Sequence, residues 1–189
     1  MSRPSHVYVL AEDGRQRQFV YRLLLRAGVL GHQITFGVSP SGRGSAEQWV
    51  RENFARQVRS CRARNSRANT AMIAMVDADT QGVNERIRSL DGALTNNGQN
   101  QIDTNSDQIA RLIPKRNVET WILCLTSEAV SEERDYKQTK SPEEWSSLIP
   151  PASETLFSWT RANVQLPAST IDSLRLGVQE LNRVFAKGE

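Results

Sequence analysis

No feature constrains this chain more than Ala71-Met72-Ile73-Ala74-Met75-Val76-Asp77-Ala78-Asp79, six consecutive apolar residues that end in Asp-x-Asp. A short unbroken apolar run has no polar face to give to water. It predicts a strand covered on both sides, as in a parallel sheet, over 71–77. A second segment of this kind, Val7-Tyr8-Val9-Leu10-Ala11, ends at Glu12 and predicts a first strand over 6–11. Parallel sheets present their sites at the carboxyl ends of the strands, and Glu12, Asp77 and Asp79 fall there. If the two strands are neighbours, the three carboxylates converge. Crowded carboxylates repel one another, and a hard divalent cation, Mg²⁺ or Mn²⁺, removes that cost. Sites of this type usually act on phosphates. The competing interpretation is that each acid only caps the helix behind it.

The rest of the pattern alternates. Gln16 to Ala27 reads as a helix with Phe19, Val20, Leu23 and Leu24 on one face, and Gly28 suits its C-terminal end. A second strand is expected over His32 to Val38. Ser45 can cap a long helix reaching Arg64, with Val50, Phe54, Val58 and Cys61 as its apolar stripe. A helix over Val83 to Asn96 follows the 71–77 strand, then a polar loop over 97–106 and a fourth strand over Ile109 to Ile113. Asn117 is placed to cap a helix over 118–125. Residues 127–150 are acidic and read as a surface excursion. Two helices, near 151–163 and 170–186, close the chain. Strands alternating with helices predict an α/β fold with a mostly parallel four-stranded sheet and a helical C-terminal extension. With 189 residues, a single domain is expected: a core over 1–126, and 127–189 packed on it.

Charge is unevenly spread. Residues 1–67 carry twelve Arg and four acids, whereas residues 68–189 carry twelve Lys or Arg and seventeen acids. Arginine grips phosphate through a bidentate fork. Arg51, Arg59 and Arg62 lie largely off the apolar stripe of their helix and can face either solvent or a nucleic-acid backbone. Arg43 sits in Ser39-Pro40-Ser41-Gly42-Arg43-Gly44-Ser45, ahead of a helix N-terminus. That loop is either a phosphate clamp or a plain connection, and it lacks the Gly-Lys-Ser/Thr ending of a P-loop. Two histidines, His6 and His32, leave little for a His-based zinc site or a triad. Cys61 and Cys124 form no metal or disulfide pattern, sit in apolar helical registers and read as buried thiols of a reducing cytoplasm. No stretch approaches a membrane span, and the N-terminus lacks a signal-peptide core. A cytoplasmic protein without membrane contact is expected.

The glutamate after strand one and the Asp-x-Asp after a later strand resemble the TOPRIM domain of topoisomerases, DnaG-type primases and OLD-family nucleases. Glu12-Asp13-Gly14 would supply the first motif and Asp77-Ala78-Asp79 the second, over roughly residues 6–125. The glycine that often follows the glutamate directly stands one place later here, behind Asp13, which is either a further ligand or a helix cap. The segment Ile113-Pro114-Lys115-Arg116-Asn117-Val118-Glu119-Thr120-Trp121 is similar to one in small bacterial TOPRIM-like proteins, some of which accompany ATPases in phage defence. The resemblance implies that Glu119 faces the metal and that Lys115 or Arg116 contacts the scissile phosphate. It implies a Mg²⁺-dependent nuclease acting on DNA first, with a partner ATPase; a second copy of the chain is a further candidate partner. Strand passage is not expected, because Tyr8, Tyr21 and Tyr136 have no context that marks a nucleophile. Trp121 is expected in the core. Two other functions fit the residues: a non-catalytic subunit that binds nucleic acid or an ATPase, and a Mg²⁺-dependent enzyme acting on a small phosphate ester.

Overall fold

The computed structural model describes residues 4–40, 45–65 and 67–185. Four strands, β1 (His6–Ala11), β2 (Ile34–Val38), β3 (Thr70–Met75) and β4 (Ile109–Leu112), form one sheet. All pairings are parallel and the order is β2-β1-β3-β4. Six helices complete the described residues: α1 (Gly14–Arg26), α2 (Ala46–Asn65), α3 (Val83–Asn96), α4 (Val118–Leu125), α5 (Pro142–Trp159) and α6 (Asp172–Phe185). The expected α/β fold with a flanked parallel sheet is the one observed.

The strands sort their side chains by alternation. Val7, Val9, Ala71, Ile73 and Met75 face a large core closed by α1, α4, α5 and α6. Leu10, Met72, Ala74 and Val76 face a smaller one closed by α2 and α3. Every residue of β3 is buried, which is why its sequence shows no polar face. β1 connects outward through α1 to β2, and β3 connects the other way through α3 to β4. The chain therefore reverses its direction of travel between β1 and β3. In parallel sheets a reversal of this kind marks where ligand crevices form, above the carboxyl ends of the two strands.

Several boundaries shift. The 71–77 strand runs over 70–75, so Asp77 lies just beyond it, and the strand expected from His32 begins at Ile34 after a 3-10 turn at Gly31–Gln33. α1 starts at Gly14 because the Asp13 carboxylate accepts from Gln16 N at 2.8 Å. Asp13 is thus a helix cap. Gly28, at φ +82°, ends α1 by letting Val29 N donate back to Leu24 O at 3.0 Å.

The larger correction concerns 127–150. Tyr136, Trp145 and Ile149 are buried in the main core, so this stretch is not wholly a surface excursion. A capping box on Ser141 and Glu144 opens α5 at Pro142, nine residues before the helix expected at 151, and the helix continues through Pro150 and Pro151. α5 packs on α1 and α4, and α6 on β4. Trp121 is buried as expected, donates from Nε1 to Ser173 Oγ at 2.7 Å, and lies so close to Gly177 that a Cβ there would collide with it. Cys61 is buried, and burial pushes its thiol up to about 11, which leaves it chemically inert. Cys124 is only half-buried. No helix among the described residues is long and apolar enough to cross a membrane.

Candidate functional site

Glu12 directly follows β1, and Asp77 and Asp79 follow β3, its hydrogen-bonded neighbour. The topology thus brings the three acids to one end of the sheet. The closest join is between Glu12 and Asp77. Asp77 N donates to Glu12 Oε2 at 3.0 Å, and the Gln16 amide bridges the two acids. Its Nε2 donates to Glu12 Oε2 at 3.1 Å and to Asp77 Oδ1 at 2.9 Å. Its Oε1 accepts from Glu12 N at 3.0 Å. Gln16 is fully buried. It lies on the stripe of α1 that also carries Phe19, Val20 and Leu23, and a glutamine on such a stripe is the sequence signal for this bridge.

Asp77 is 2% exposed. Burial raises its carboxyl well above the usual aspartate range, and the charges of Glu12, Glu119 and Asp13 add to the rise, while Lys137 opposes it. Glu12 is raised too, by burial first, against hydrogen bonds from the Asp77 backbone and Gln16. Asp79 is exposed and sits at φ +52°, the left-handed region.

Glu119 comes from the first turn of α4, whose N-terminus Asn117 caps by accepting from Thr120 N at 3.3 Å. Its side chain is 1% exposed and pairs through Oε1 with Arg15 of α1. Arg15 in turn lies 5.5 Å over the Trp145 ring. Glu119 Oε2 is buried and has no hydrogen-bond partner among the described residues. Arg86 of α3 holds the other flank. Its Nε donates to Asp77 O at 3.0 Å, its Nη1 meets Glu47 at 2.5 Å, and its Nη2 stands 3.9 Å from Asp79.

Lys137, in the stretch expected to be a surface excursion, places its Nζ 3.5 Å from Asp77 Oδ2. Lys115, expected on the phosphate, pairs instead with exposed Glu133, and Arg116 lies near enough to act on the same glutamate. The arginines of α2 diverge. Arg62 forms a fork on Asp107, at 2.6 Å for its Nη2, and also donates to Asn100 O and Gln101 O. Arg59 donates to Asn97 O at 2.7 Å. Arg51 is 3.9 Å from Glu47 and keeps much of its surface exposed. Arg43 lies outside the described residues.

Among the described residues, no group of three or more His, Cys, Asp or Glu is disposed as a ready-made metal cage. The donor set nonetheless fits a hard cation. It is all oxygen, two of its carboxyls are raised by burial and by neighbouring acids, and Glu119 Oε2 is left unpartnered. Beside α1's first turn, Gly14, Arg17, Tyr21 and Phe36 are among the residues lining an open groove of about 540 Å³. The Arg17 guanidinium lies 4.9 Å over the Phe36 ring.

Comparison with protein-family models, with curated proteins and with solved structures returned no match.

Proposed function

We propose that the chain is a Mg²⁺-dependent nuclease of TOPRIM type, hydrolysing phosphodiesters in nucleic acid, DNA first. The observation that carries the proposal is the convergence of Glu12 and Asp77 at the tips of adjacent parallel strands, joined through Gln16, with Glu119 beside them and unpartnered at Oε2. Glu12, Asp77, Asp79 and Glu119 would hold the ion. Bound Mg²⁺ would supply charge neutralisation at the phosphate and activation of water. The chain's own residues do the rest. Gln16 fixes the separation of Glu12 and Asp77, Arg15 orients Glu119, and Arg86 anchors the Asp77 backbone. Arg17, stacked on Phe36 in the groove beside α1, offers a cation to a nucleic-acid backbone. The resemblance adds a role in phage defence and a partner ATPase to this reading, the latter because the chain has no nucleotide-hydrolysis motif of its own; a second copy of the chain is a further candidate partner.

A second reading, a non-catalytic subunit, is favoured by one observation. The Gln16 amide and the Lys137 ammonium already partner Glu12 and Asp77, as they would in a purely structural polar cluster. Incubation with single-stranded, double-stranded and supercoiled DNA and with RNA, in Mg²⁺ or EDTA, separates the two. Metal-dependent cutting that Asp77→Ala lowers by at least about 100-fold is expected. Cutting that survives Asp77→Ala overturns the assignment, and nucleic-acid binding without cutting selects the subunit.

A further inference from the structure

Lys137 is not a casual surface lysine. Its backbone is fastened to the same helix start that carries Glu119. Asp135 Oδ1 accepts from Asn117 Nδ2 and from Lys137 N, each at 2.8 Å. Tyr136 is buried beneath the main chain, and its hydroxyl accepts from Ser131 N at 3.0 Å. Thr139 closes the turn with N–H and Oγ1 bonds to Tyr136 O. The turn therefore holds Lys137 against the end of the sheet, and four methylenes carry its ammonium to Asp77. Glu119 and Asp79 also feel its charge. The side chain is 41% exposed, so the ammonium has solvent on one side and carboxylates on the other. It can therefore swing away from the buried oxygen of Asp77. Arg86, by contrast, meets Asp77 only at its backbone carbonyl and is itself buried, held by Glu47.

We propose that the Lys137 ammonium and a divalent cation compete for one position, above Asp77 and Glu119, so that Lys137 sets the affinity of the site for its metal. The proposal rests on the reading that these acids take a divalent cation, and it adds the residue that opposes loading. The physical reason is direct. A monovalent ammonium offsets part of the repulsion among Asp77, Glu12 and Glu119 when no ion is present. An arriving divalent ion must displace it and overcome like-charge repulsion at short range. The displaced ammonium, on a flexible stem, remains within reach of any phosphate the ion holds. Glu119 Oε2, buried and without a hydrogen-bond partner among the described residues, is a second observation that points to a ligand still to be accommodated.

The test is calorimetric titration of Mn²⁺ alone into the full-length wild type, Lys137→Met and Lys137→Arg, each shown to be folded by circular dichroism. Lys137→Met keeps the stem and removes the charge. It is expected to bind Mn²⁺ about tenfold more tightly than wild type. Lys137→Arg keeps the charge and should stay within about threefold of wild type. Binding by Lys137→Met where wild type binds nothing supports the proposal in its strongest form. Equal affinity in wild type and Lys137→Met, or weaker affinity in Lys137→Met, overturns the competition while leaving the metal site standing. Absence of Mn²⁺ binding in all three proteins overturns the competition and the nuclease reading together.

Discussion

The carboxylates at the strand tips and the arginines of α2 are both runs of like charge, yet the fold treats them oppositely. Glu12 and Asp77 are forced together because each closely follows a buried strand and those strands are neighbours. Their repulsion is eased by Gln16 and Lys137, together with the Asp77 N–H and the charge of Arg86. The arginines are spread along a helix, and several find partners nearby. Arg62 takes Asp107 and two loop carbonyls, Arg59 takes Asn97 O, and Arg51 leans towards Glu47. Charge on a helix face is absorbed where it falls, while charge behind a buried strand goes where the topology sends it. A functional cluster is therefore read more safely from the ends of apolar runs than from a count of basic residues.

Arg62 breaks or sharpens this contrast most strongly. Its guanidinium ties the 100–107 loop to α2 through a carboxylate fork and two backbone carbonyls, and Asp107 is itself largely buried. Arg62→Ala is expected to cost about 2–3 kcal/mol in chemical denaturation, because it leaves the Asp107 charge without its partner. Were it instead a nucleic-acid contact, the effect would appear in binding and hardly at all in stability.

The acids predict the opposite sign. In the ion-free protein the folded state holds the Asp77 proton more tightly than the unfolded chain does, because burial and Glu12 raise the carboxyl. Stability from this group is full below the ordinary aspartate range and drains away as pH rises through the raised folded value. Asp77→Asn keeps the shape without the charge. It is expected to stabilise the ion-free protein at neutral pH by roughly 1–2 kcal/mol, with the gain shrinking on acidification. Added Mn²⁺ should stabilise wild type and not the variant. A destabilised Asp77→Asn at neutral pH would mean that the ion pair with Lys137 outweighs the repulsion.

The same contrast explains what the sequence revealed. β1 and α3 fall where the pattern puts them, because apolar runs and periodic stripes are local signals. α4 does as well, since Asn117 is a local cap. Glu12 and Asp77 are legible for the same reason. Lys137, Arg15 and Trp145 are not. Each is brought to the site by α5, α1 or the turn before α5, through contacts between residues more than a hundred positions apart or through a turn whose anchor, Tyr136, is one aromatic residue among charges. Gln16 stands between the two cases. It occupies an apolar register, which marks a buried amide, but the pattern does not say that its partners are the two acids. The stretch 127–150 misleads because most of its acids are exposed while Tyr136, Trp145 and Ile149 between them are core.

The exposed arginines carry the smallest effect and the finest distinction. Arg51 and Arg56 lie on the outer face of α2, where Arg51 stands at the edge of ion-pair range from Glu47 and Arg56 donates to Asn53 of its own helix. Replacing both by Gln removes charge and little packing, so stability should change by less than about 0.5 kcal/mol. If this face tracks a nucleic-acid backbone, the dependence of log affinity on log salt should flatten by about one for each phosphate no longer neutralised. Arg62→Ala should leave that slope unchanged, because Arg62 already spends its donors within the protein. A salt slope unmoved by the double Gln variant would confine nucleic-acid contact to the strand tips, where Lys137 stands, and to the groove beside α1, where Arg17 does.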